Sequence, residues 1–289
     1  MILLLGGYGM LGQSFTNELY RAGAPPCNIP TRQELDVTNE LAVRRFITQT
    51  QPSLIINTTV MRSVDRCELN PQEAYQINTQ AVEYIVNASK ALKTKIIHIS
   101  TDYVFDGYLP FKKSYQETDI PNPLQVYGKT KLDSEKFVLD AGGYVYRVQW
   151  LFGSTRENFL DWIVNSILTH TQIPISTDQM GCPCSTAFVA QLIVRSFQKT
   201  LPGLYHISHD NFCTRYECAS YIASLFKKAP SDCFHKVSGN FGIALRPMNT
   251  CMDNSKLKKG IQDHSLGTWQ GDVFTYVSTR YAEKLNENI

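Results

Sequence analysis

A glycine-rich turn at the start of the chain restricts its possible folds more than any other feature of the sequence. Residues 6–12, Gly-Gly-Tyr-Gly-Met-Leu-Gly, follow the apolar run Ile2–Leu5 and open the segment Met10–Arg21, whose apolar residues have helical spacing. This order predicts a buried strand, a tight turn and a helix. Glycines let the backbone approach a phosphate, and the free N–H groups at a helix N-terminus favour anions. We therefore predict a dinucleotide site that includes Gly6, Tyr8, Gly9, Met10, Leu11 and Gly12.

Strands and helices alternate along the chain up to about residue 150. Apolar runs predict further strands at Cys27–Pro30, Ser53–Asn57, Lys95–Ser100 and Tyr144–Val148. Helical spacing predicts helices at Leu41–Thr50 and Gln125–Leu139, and another that begins with Asn70, Pro71 and a capping Glu73. Because such alternation is typical of parallel strands joined by right-handed crossovers, we predict an α/β fold with a Rossmann-like, doubly wound parallel sheet.

The pattern loosens in the second half of the chain. Helices are predicted near residues 158–170, 185–199 and 214–227, and a final amphipathic helix at Trp269–Leu285. Thr214 and Glu217 have the spacing of a capping box, so Glu217 is predicted to be a cap and not a catalyst. We expect a NAD(P)-binding Rossmann domain over residues 1–150 and a smaller C-terminal α+β substrate lobe over residues 151–289, with the chain free to cross between them.

Charge and composition exclude several kinds of partner. The formal net charge is only +2, and no cluster of basic residues predicts nucleic-acid binding. The apolar runs are far shorter than the roughly 18 residues of a membrane span, and no basic segment precedes the first of them as in a secretion signal. The eight cysteines contain no CxxC pair and the six histidines are scattered. We therefore expect reduced thiols, no metal site and a cytoplasmic protein.

The residues after the second predicted strand indicate which dinucleotide binds. Proteins that prefer NAD have an acidic residue here, which bonds the ribose 2′-hydroxyl and repels a 2′-phosphate. This chain has Arg32, which can pair with a 2′-phosphate, although Glu34 follows closely. We therefore predict NADP, with NADPH preferred and NADH left open. Asp36, followed by Val37, is either an acceptor for the adenine amino group or a turn residue.

Tyr127 and Lys131 lie four residues apart in a predicted helix and therefore share one face. A tyrosine hydroxyl has a pKa of about 10, which a nearby ammonium group lowers. This spacing predicts Tyr127 as a general acid for a forming alkoxide and Lys131 as its partner, which also reaches the ribose of a nicotinamide. Tyr108 and Lys112 have the same spacing, but Pro110 between them argues against a helix.

A third functional group is expected at the end of a neighbouring strand. The segment from His98 to Phe105 is predicted to be a strand that runs into a loop, and the carboxyl ends of parallel strands line the ligand crevice. Thr101 lies at this point, where its hydroxyl can polarise a substrate carbonyl. The reduction of a ketone needs a hydride donor, a proton donor and a group that polarises the carbonyl. The predicted dinucleotide site, Tyr127 and Thr101 would supply these three, so together they predict this reaction.

These motifs resemble those of the extended short-chain dehydrogenase/reductases and, in finer detail, the dTDP-4-dehydrorhamnose reductase family. The resemblance extends over nearly the whole chain, in order. Its segments are Gly6–Gly12, Arg32–Thr38, Thr101–Gly107, Tyr127–Lys131, Arg147–Trp150, Asp178–Pro183, Gly203–Ser208 and Arg246–Asn249.

The resemblance implies an NADPH-dependent reductase of a nucleotide-diphosphate-linked 4-keto-6-deoxy sugar, with Thr101, Tyr127 and Lys131 as the catalytic triad. Further cofactor contacts are implied for Thr58, Thr59, Val60 and Asn78. Substrate contacts are implied for Met61, Arg62, Val64, Asp102, Tyr103, Trp150, Asn158, Gln179 and Arg246. Dimers are common among such proteins, so a homodimer is one expectation.

The sequence departs from the family pattern at two places. Residues 58–62 are Thr-Thr-Val-Met-Arg, where small residues and then Tyr-Thr are usual, and Gln149 replaces a usual serine. Two alternatives therefore stay open. One is a bifunctional 3,5-epimerase/4-reductase of a UDP-sugar, although Tyr103 occupies the position of a cysteine that some relatives have. The other is a non-catalytic regulatory subunit like the methionine adenosyltransferase beta subunit.

Overall fold

A computed structural model describes residues 1–240 and 242–286 of the chain. Its strands are β1 (Ile2–Leu5), β2 (Cys27–Asn28), β3 (Leu54–Asn57), β4 (Lys95–Thr101), β5 (Tyr144–Val148), β6 (Leu151–Phe152), β7 (Ile173–Ser176), β8 (Met180–Gly181), β9 (Cys184–Ser185), β10 (Gly203–His206), β11 (Cys213–Thr214) and β12 (Phe234–Val237). One six-stranded sheet has the order β10-β5-β4-β3-β1-β2, and all its neighbouring strands are parallel. The predicted α/β class with a Rossmann-like parallel sheet is confirmed.

The helices are α1 (Met10–Arg21), α2 (Glu40–Thr50), α3 (Val64–Leu69), α4 (Pro71–Tyr75), α5 (Ala81–Ser89), α6 (Val126–Asp140), α7 (Phe159–Thr169), α8 (Thr186–Phe197), α9 (Arg215–Leu225), α10 (Pro230–Cys233), α11 (Ser255–Ile261), α12 (Trp269–Arg280) and α13 (Ala282–Asn286). A π-helical turn at Gln76–Gln80 joins α4 to α5. Short 3-10 turns lie at Lys90–Leu92 and Asp102–Val104.

Helices cover both faces of the sheet because alternate side chains of each strand point to opposite sides. In β1, Leu3 packs in the cluster that includes Val43 of α2, whereas Leu4 packs in the cluster that includes Phe15 of α1. All four residues of β1 are buried, which explains its uninterrupted apolar sequence. Because all strands of this sheet are parallel, their carboxyl ends lie at one edge, where the loops that follow them form a crevice.

The chain returns to the central sheet at β10. β10 pairs with β5 in parallel, with Gly203 opposite Tyr144 and His206 opposite Arg147. The other strands of the second half form three two-stranded sheets, which pair β8 with β11, β7 with β12 and β6 with β9. The division into residues 1–150 and 151–289 stays a prediction. β10 belongs to the second of these ranges but pairs with β5 of the first, so the chain crosses between the two at this strand.

Two predicted helix caps have different outcomes. Thr214 and Glu217 form the expected capping box at α9. Asn70 precedes α4, but its side chain does not cap this helix. The predicted capping box with Glu73 is wrong because the Glu73 carboxylate accepts two bonds from Arg66 Nη2, at 2.7 and 3.0 Å.

Membrane-spanning helices and clusters of metal-ligating side chains are both absent from residues 1–240 and 242–286. None of the helices in these ranges has the length and apolar character that a membrane span requires. Nor do these residues contain a group of three or more histidines, cysteines or acids that could hold a metal ion.

Candidate active site

The glycine-rich turn joins β1 to α1 and keeps the two in close contact. Gly6 has φ +76°, and a Cβ there would lie 2.7 Å from Thr58 Oγ1. A Cβ on Gly12 would lie 2.3 Å from the Gly6 carbonyl oxygen, so only glycine lets α1 approach the turn this closely. Gly9 precedes α1, whose N-terminus has no side-chain cap. This cradle fits a dinucleotide diphosphate because the uncapped N–H groups and the helix dipole favour an anion.

The other predicted residues of this turn face different surroundings. Tyr8 is 59% exposed beside the turn. Met10 lies close to Gly153, since a Cβ on that glycine would be 3.1 Å from Met10 Cγ. Leu11 is buried in the core, so only its backbone is available to a cofactor.

Arg32 and Glu34 are both exposed on the loop after β2. The Glu34 carboxylate accepts bonds from Thr31 N at 2.7 Å and Thr31 Oγ1 at 2.9 Å, and these bonds lower the pKa of Glu34. No hydrogen bond or ion pair holds the Arg32 guanidinium within the part of the chain that the structure describes. The acid is therefore directed back onto its own loop, whereas the arginine is available to an anion.

Asp36 has the turn role that was one of its two predicted alternatives. Its Oδ1 accepts bonds from Thr38 N at 3.0 Å and Thr38 Oγ1 at 2.7 Å, and these bonds lower the pKa of Asp36. Val37 is partly buried and packs on the cluster beneath α2. A contact of Asp36 with adenine stays a prediction.

The end of β3 meets the glycine turn. Thr58 Oγ1 donates to the last carbonyl oxygen of β1 at 2.8 Å, which explains its closeness to Gly6. Asn57 is buried, and its Oδ1 accepts bonds from Thr59 N at 3.1 Å and Thr59 Oγ1 at 2.6 Å. Val60 is 39% exposed. The predicted cofactor residues 58–60 therefore lie beside the predicted phosphate turn.

Asn78 is engaged by the protein itself. Its Oδ1 accepts from Met61 N at 2.8 Å, and its Nδ2 donates to Met61 O at 3.3 Å and Thr130 Oγ1 at 3.1 Å. Both N–H donors of this buried amide are thus used. Asn78 holds the loop of Met61 against α6, and its predicted contact with a cofactor would have to use the remaining oxygen lone pair.

Thr101 and Tyr127 converge at the carboxyl end of β4. The start of α6 packs tightly on the 3-10 turn because a Cβ on Gly128 would lie 2.1 Å from Tyr103 O. This approach brings the Tyr127 hydroxyl within hydrogen-bonding reach of Thr101. The ring centroids of Tyr103 and Tyr127 are 6.1 Å apart, edge to face. The structure therefore brings together the two side chains whose joint role the sequence predicts.

The charge state of the Tyr127 and Lys131 pair differs from the expectation. Burial raises the pKa of Tyr127 above its usual value, against a smaller opposing effect of the Thr101 hydrogen bond. Burial also lowers the pKa of Lys131 to about 7, and its Nζ lies 3.0 Å from Nε2 of His98 on β4. The predicted lowering of the Tyr127 pKa is wrong for this structure because burial dominates. At neutral pH Tyr127 is a phenol, which is the form that can donate a proton.

A buried ion pair lies one turn beyond Lys131. Arg147 donates from Nε to Glu135 Oε1 at 2.9 Å and from Nη2 to Oε2 at 2.7 Å, and both side chains are 2% exposed. Ser100 also donates to Glu135 Oε1. His206 Nε2 lies 3.4 Å from Arg147 Nη1. This network joins α6 to β4, β5 and β10 directly beneath the candidate site.

Asp102 has an unused carboxyl oxygen beside the two tyrosines. It is 2% exposed, and its Oδ1 accepts from Thr101 Oγ1 at 3.0 Å. Its Oδ2 is buried and makes no hydrogen bond of good geometry among the described residues, although the Thr250 hydroxyl lies close to the carboxyl group. Burial raises the pKa of Asp102 to about 6, against a smaller opposing effect of the Thr250 hydroxyl. This oxygen can accept a hydrogen bond from a ligand hydroxyl, as the predicted sugar contact requires.

Trp150 and Arg215 form a stacked pair that the sequence analysis did not predict. Trp150 has φ +42°, and its indole lies so close to Gly181 that a Cβ there would be 2.7 Å from Cε2. The Arg215 guanidinium lies 3.6 Å from the Trp150 ring centroid and 4.6 Å from that of Phe159. It makes no hydrogen bond or ion pair within residues 1–240 and 242–286, yet its charge acts on Asp102. Arg215 is therefore a cation available to an anionic ligand group.

Arg246 forms an ion pair with Asp65 of α3. Its Nη1 and Nη2 donate to Oδ1 and Oδ2 of Asp65 at 2.7 and 2.8 Å. Asp65 also accepts from the backbone N–H groups of Ile243 and Ala244, and the Arg246 bond holds its pKa well below the usual value. The predicted substrate residue Arg246 thus anchors a C-terminal loop on α3, close to Val64 at its first position and to the exposed Arg62.

The last two predicted substrate residues have mainly structural contacts. Asn158 caps α7, with its Oδ1 accepting from Leu160 N at 3.0 Å and its Nδ2 donating to Tyr276 Oη at 2.8 Å. The Gln179 carbonyl oxygen accepts from Arg215 N at 3.0 Å. Gln179 therefore lies next to the stacked pair, whereas the Asn158 amide is used by the fold.

Comparisons with known proteins agree with these features. The sequence profile described as RmlD substrate binding domain matches residues 1–281. A dTDP-4-dehydrorhamnose reductase of Aggregatibacter actinomycetemcomitans is 31% identical over 283 residues, which cover 90% of this chain and 94% of that protein. The methionine adenosyltransferase 2 subunit beta of Rattus norvegicus is 31% identical over 276 residues, which cover 89% of this chain and 81% of that protein.

Solved structures give the same result. The dTDP-4-dehydrorhamnose reductase of Bacillus anthracis strain Ames, in complex with NADP, has a TM-score of 0.87 at 25% identity, covering 96% of this chain and 97% of that chain. The corresponding protein of Clostridium acetobutylicum has a TM-score of 0.86 at 29% identity, covering 96% and 98%. The parallel sheet, its glycine turn and the profile match lead to one conclusion, that the chain belongs to the RmlD family of the extended short-chain dehydrogenase/reductases.

Proposed function

We propose that this protein is an NADPH-dependent reductase that converts the C4 ketone of a nucleotide-diphosphate-linked 4-keto-6-deoxy sugar into an alcohol. The observation that carries the proposal is the meeting of Thr101 and Tyr127 at the carboxyl end of β4. Ligands of open parallel sheets bind at this edge. The resemblance to dTDP-4-dehydrorhamnose reductases over 90% of the chain supports this substrate class.

The residues around the crevice have separate tasks in this reaction. NADPH supplies a hydride when bound. Tyr127, kept protonated by burial, gives its proton to the former ketone oxygen, and the Thr101 hydroxyl orients that oxygen. Lys131 binds ribose hydroxyls of the cofactor. Arg32 binds the 2′-phosphate, which makes NADPH the preferred donor over NADH.

Polar, aromatic and cationic groups around the crevice hold the substrate. Asp102 Oδ2 accepts a bond from a sugar hydroxyl, and Tyr103 and Trp150 pack against the ring. Arg215 and the exposed Arg62 supply positive charge for the diphosphate. Among the described residues, Arg246 uses two of its five N–H donors on Asp65 and one on the Ala244 carbonyl oxygen, so the other two can contact a phosphate while the pair stays closed.

The test is oxidation of NADPH on mixing with dTDP- or UDP-linked 4-keto-6-deoxyglucose, with and without a separate 3,5-epimerase. We expect absorbance loss with the wild type and at least ~10²-fold slower loss with Tyr127→Phe. Tyr108→Phe is the matched control, since Tyr108 is 73% exposed and outside the site. Without an added epimerase, a product inverted at C3 and C5 would favour the bifunctional alternative, whereas a product that keeps the configuration at these carbons would favour reduction alone. Turnover of Tyr127→Phe at the wild-type rate would contradict the proposal.

A second candidate function is that of a non-catalytic regulatory subunit. The methionine adenosyltransferase 2 subunit beta of Rattus norvegicus matches this chain with the same 31% identity as the reductase from Aggregatibacter actinomycetemcomitans. A regulator would bind NADPH and leave it unoxidised with every sugar nucleotide. The presence of Thr101, Tyr127 and Lys131 together favours the enzyme.

Two further expectations concern the setting of the reaction. We predict a homodimer, and sedimentation at a mass near twice that of one chain would support it. We also predict a cytoplasmic location and no nucleic-acid partner. Nucleotide-sugar chemistry supports a location where sugar nucleotides and NADPH are both available.

A further inference from the structure

Lys131 is a buried lysine whose surroundings do not suit an ammonium group. Its side chain is 2% exposed. Within the part of the chain that the structure describes, its Nζ has one hydrogen-bonding neighbour, Nε2 of His98 at 3.0 Å. An ammonium group has three N–H donors and no acceptor, so its fit depends on whether this ring nitrogen accepts or carries hydrogen.

The amide of Asn57 decides which nitrogen of His98 carries the proton. Asn57 Oδ1 accepts from Thr59 N at 3.1 Å and Thr59 Oγ1 at 2.6 Å, and this fixes the orientation of the amide. Its Nδ2 therefore faces Nδ1 of His98, at 3.3 Å. Because Nδ2 can only donate, Nδ1 must accept. A neutral imidazole then carries its one hydrogen on Nε2. Burial, the larger cause, lowers the pKa of His98 well below its usual value, so the ring is neutral whether or not Lys131 carries a charge.

The single Nε2–H hydrogen consequently faces two neighbours, of which one is Lys131 Nζ at 3.0 Å. Its other neighbour is Ser134 Oγ at 2.9 Å, whose own hydroxyl donates to Lys131 O at 2.6 Å and so leaves a lone pair free. An amine at Lys131 also offers a lone pair to Nε2–H, whereas an ammonium group would place two donors face to face. The hydrogen-bond pattern of Asn57, His98 and Ser134 is satisfied when Lys131 is uncharged.

The charged groups around Lys131 do not reverse this preference. Glu135, one turn further along α6, favours the ammonium form. However, its carboxylate is bound by Arg147 of β5 and Ser100 of β4 and makes no ion pair with Lys131. Tyr127, one turn before Lys131, is itself kept neutral by burial.

We propose that Asn57 and His98 are positioning residues that hold Lys131 as an uncharged amine until a ligand offers acceptor atoms to its N–H groups. Binding of that ligand is then coupled to the uptake of one proton by Lys131. Only the identity of the ligand, the hydroxyls of a nicotinamide ribose, rests on the proposed function. The sequence could not show this, because spacing within α6 does not reveal what β3 and β4 place opposite the lysine.

The first test measures Lys131 in the protein without ligand. A protein with ¹³Cε-labelled lysine is titrated by NMR, and the Lys131 signal is assigned by its loss in Lys131→Arg. We expect a midpoint near pH 7, as the pKa of about 7 implies. A midpoint at the ordinary lysine value of about 10.4 would overturn the proposal, whatever the catalytic activity.

Three variants test whether His98 Nε2 donates to Lys131 or accepts from it, because two of them should raise the Lys131 midpoint and one should not. His98→Gln places an amide oxygen near Lys131 without adding charge, and Asn57→Asp makes Nδ1 of His98 a donor and Nε2 an acceptor. We expect both to raise the midpoint of Lys131 by at least ~1 pH unit. Ser134→Ala, the control on the same ring nitrogen, removes the other acceptor and should not raise it. A rise in Ser134→Ala equal to that in His98→Gln would contradict the proposal.

A second test measures the coupled proton. NADPH binding is followed by calorimetry at pH 8 in two buffers with different ionisation enthalpies. With a pKa of about 7 in the free protein, the wild type should take up about 0.9 proton at this pH, and His98→Gln, with a midpoint raised by ~1 pH unit or more, about 0.5 proton or less. Equal uptake in both proteins would refute the coupling. Absence of NADPH binding would instead defeat the proposed function, and the NMR titration would still decide the state of Lys131.

Discussion

Arg147→Met should destabilise the protein strongly, because it removes one half of a buried ion pair. Glu135 and Arg147 are both 2% exposed and joined by two parallel hydrogen bonds of 2.7 and 2.9 Å. Without Arg147, the Glu135 carboxylate stays in the core with Ser100 as its remaining donor. Breaking a pair of this kind costs about 3–5 kcal/mol. For a chain of this size that corresponds to a fall in Tm of about 6–20 °C.

The assay is urea unfolding with linear extrapolation, supported by a thermal scan. Arg195→Met is the matched control because Arg195 pairs with Asp263 at 2.8 Å while 44% exposed, and such surface pairs contribute about 0–1 kcal/mol. The double variant Glu135→Leu/Arg147→Met should regain part of the loss, since no charge is left unpaired. If Arg147→Met loses no more than Arg195→Met, the reasoning is refuted.

Three further predictions concern the candidate site. Tyr127→Phe should lower kcat at least ~10²-fold and leave the Kd for NADPH nearly unchanged, as measured by steady-state kinetics and cofactor fluorescence. Arg32→Asp should reduce the preference for NADPH over NADH about tenfold or more, measured as the ratio of kcat/KM values, because it removes a charge-assisted bond and adds repulsion. Asp102→Asn should be more stable than the wild type above about pH 6 by up to about 3 kcal/mol. Burial raises the pKa of Asp102 to about 6, so the folded wild type loses stability as pH rises toward that value.

Each of these predictions has a contrary outcome. A Tyr127→Phe enzyme with reduced cofactor affinity and normal kcat would make Tyr127 a binding residue. An unchanged cofactor ratio in Arg32→Asp would return the choice between NADPH and NADH to an open question. A stability difference for Asp102→Asn that is the same at low and neutral pH would show that ionisation of Asp102 does not oppose folding.

The sequence predicted the scaffold better than the contacts within it. β1 and α1 were predicted with their observed bounds because buried parallel strands and amphipathic helices have distinct periodicities. The meeting of Thr101 with Tyr127 followed from the rule that strand ends line the crevice. The π-helical turn at Gln76–Gln80 was not predicted, since local spacing gave no sign of it.

The missed features all depend on contacts between distant segments. The stacking of Arg215 on Trp150 joins the start of α9 to the residue before β6. The contact of Lys131 with His98 joins α6 to β4. Helical spacing correctly placed Tyr127 and Lys131 on one face, but only the packed structure shows that burial, and not the neighbouring amine, governs the pKa of the phenol.

The return of the chain to the sheet at β10 makes the two halves inseparable. β10 covers the outer edge of β5, with His206 opposite Arg147. A fragment that stops near residue 150 would expose the backbone donors and acceptors of β5, and such an open strand invites pairing with other molecules. Attempts to change sugar specificity should therefore keep β10 paired with its own β5, which the exchange of single loops around the crevice allows.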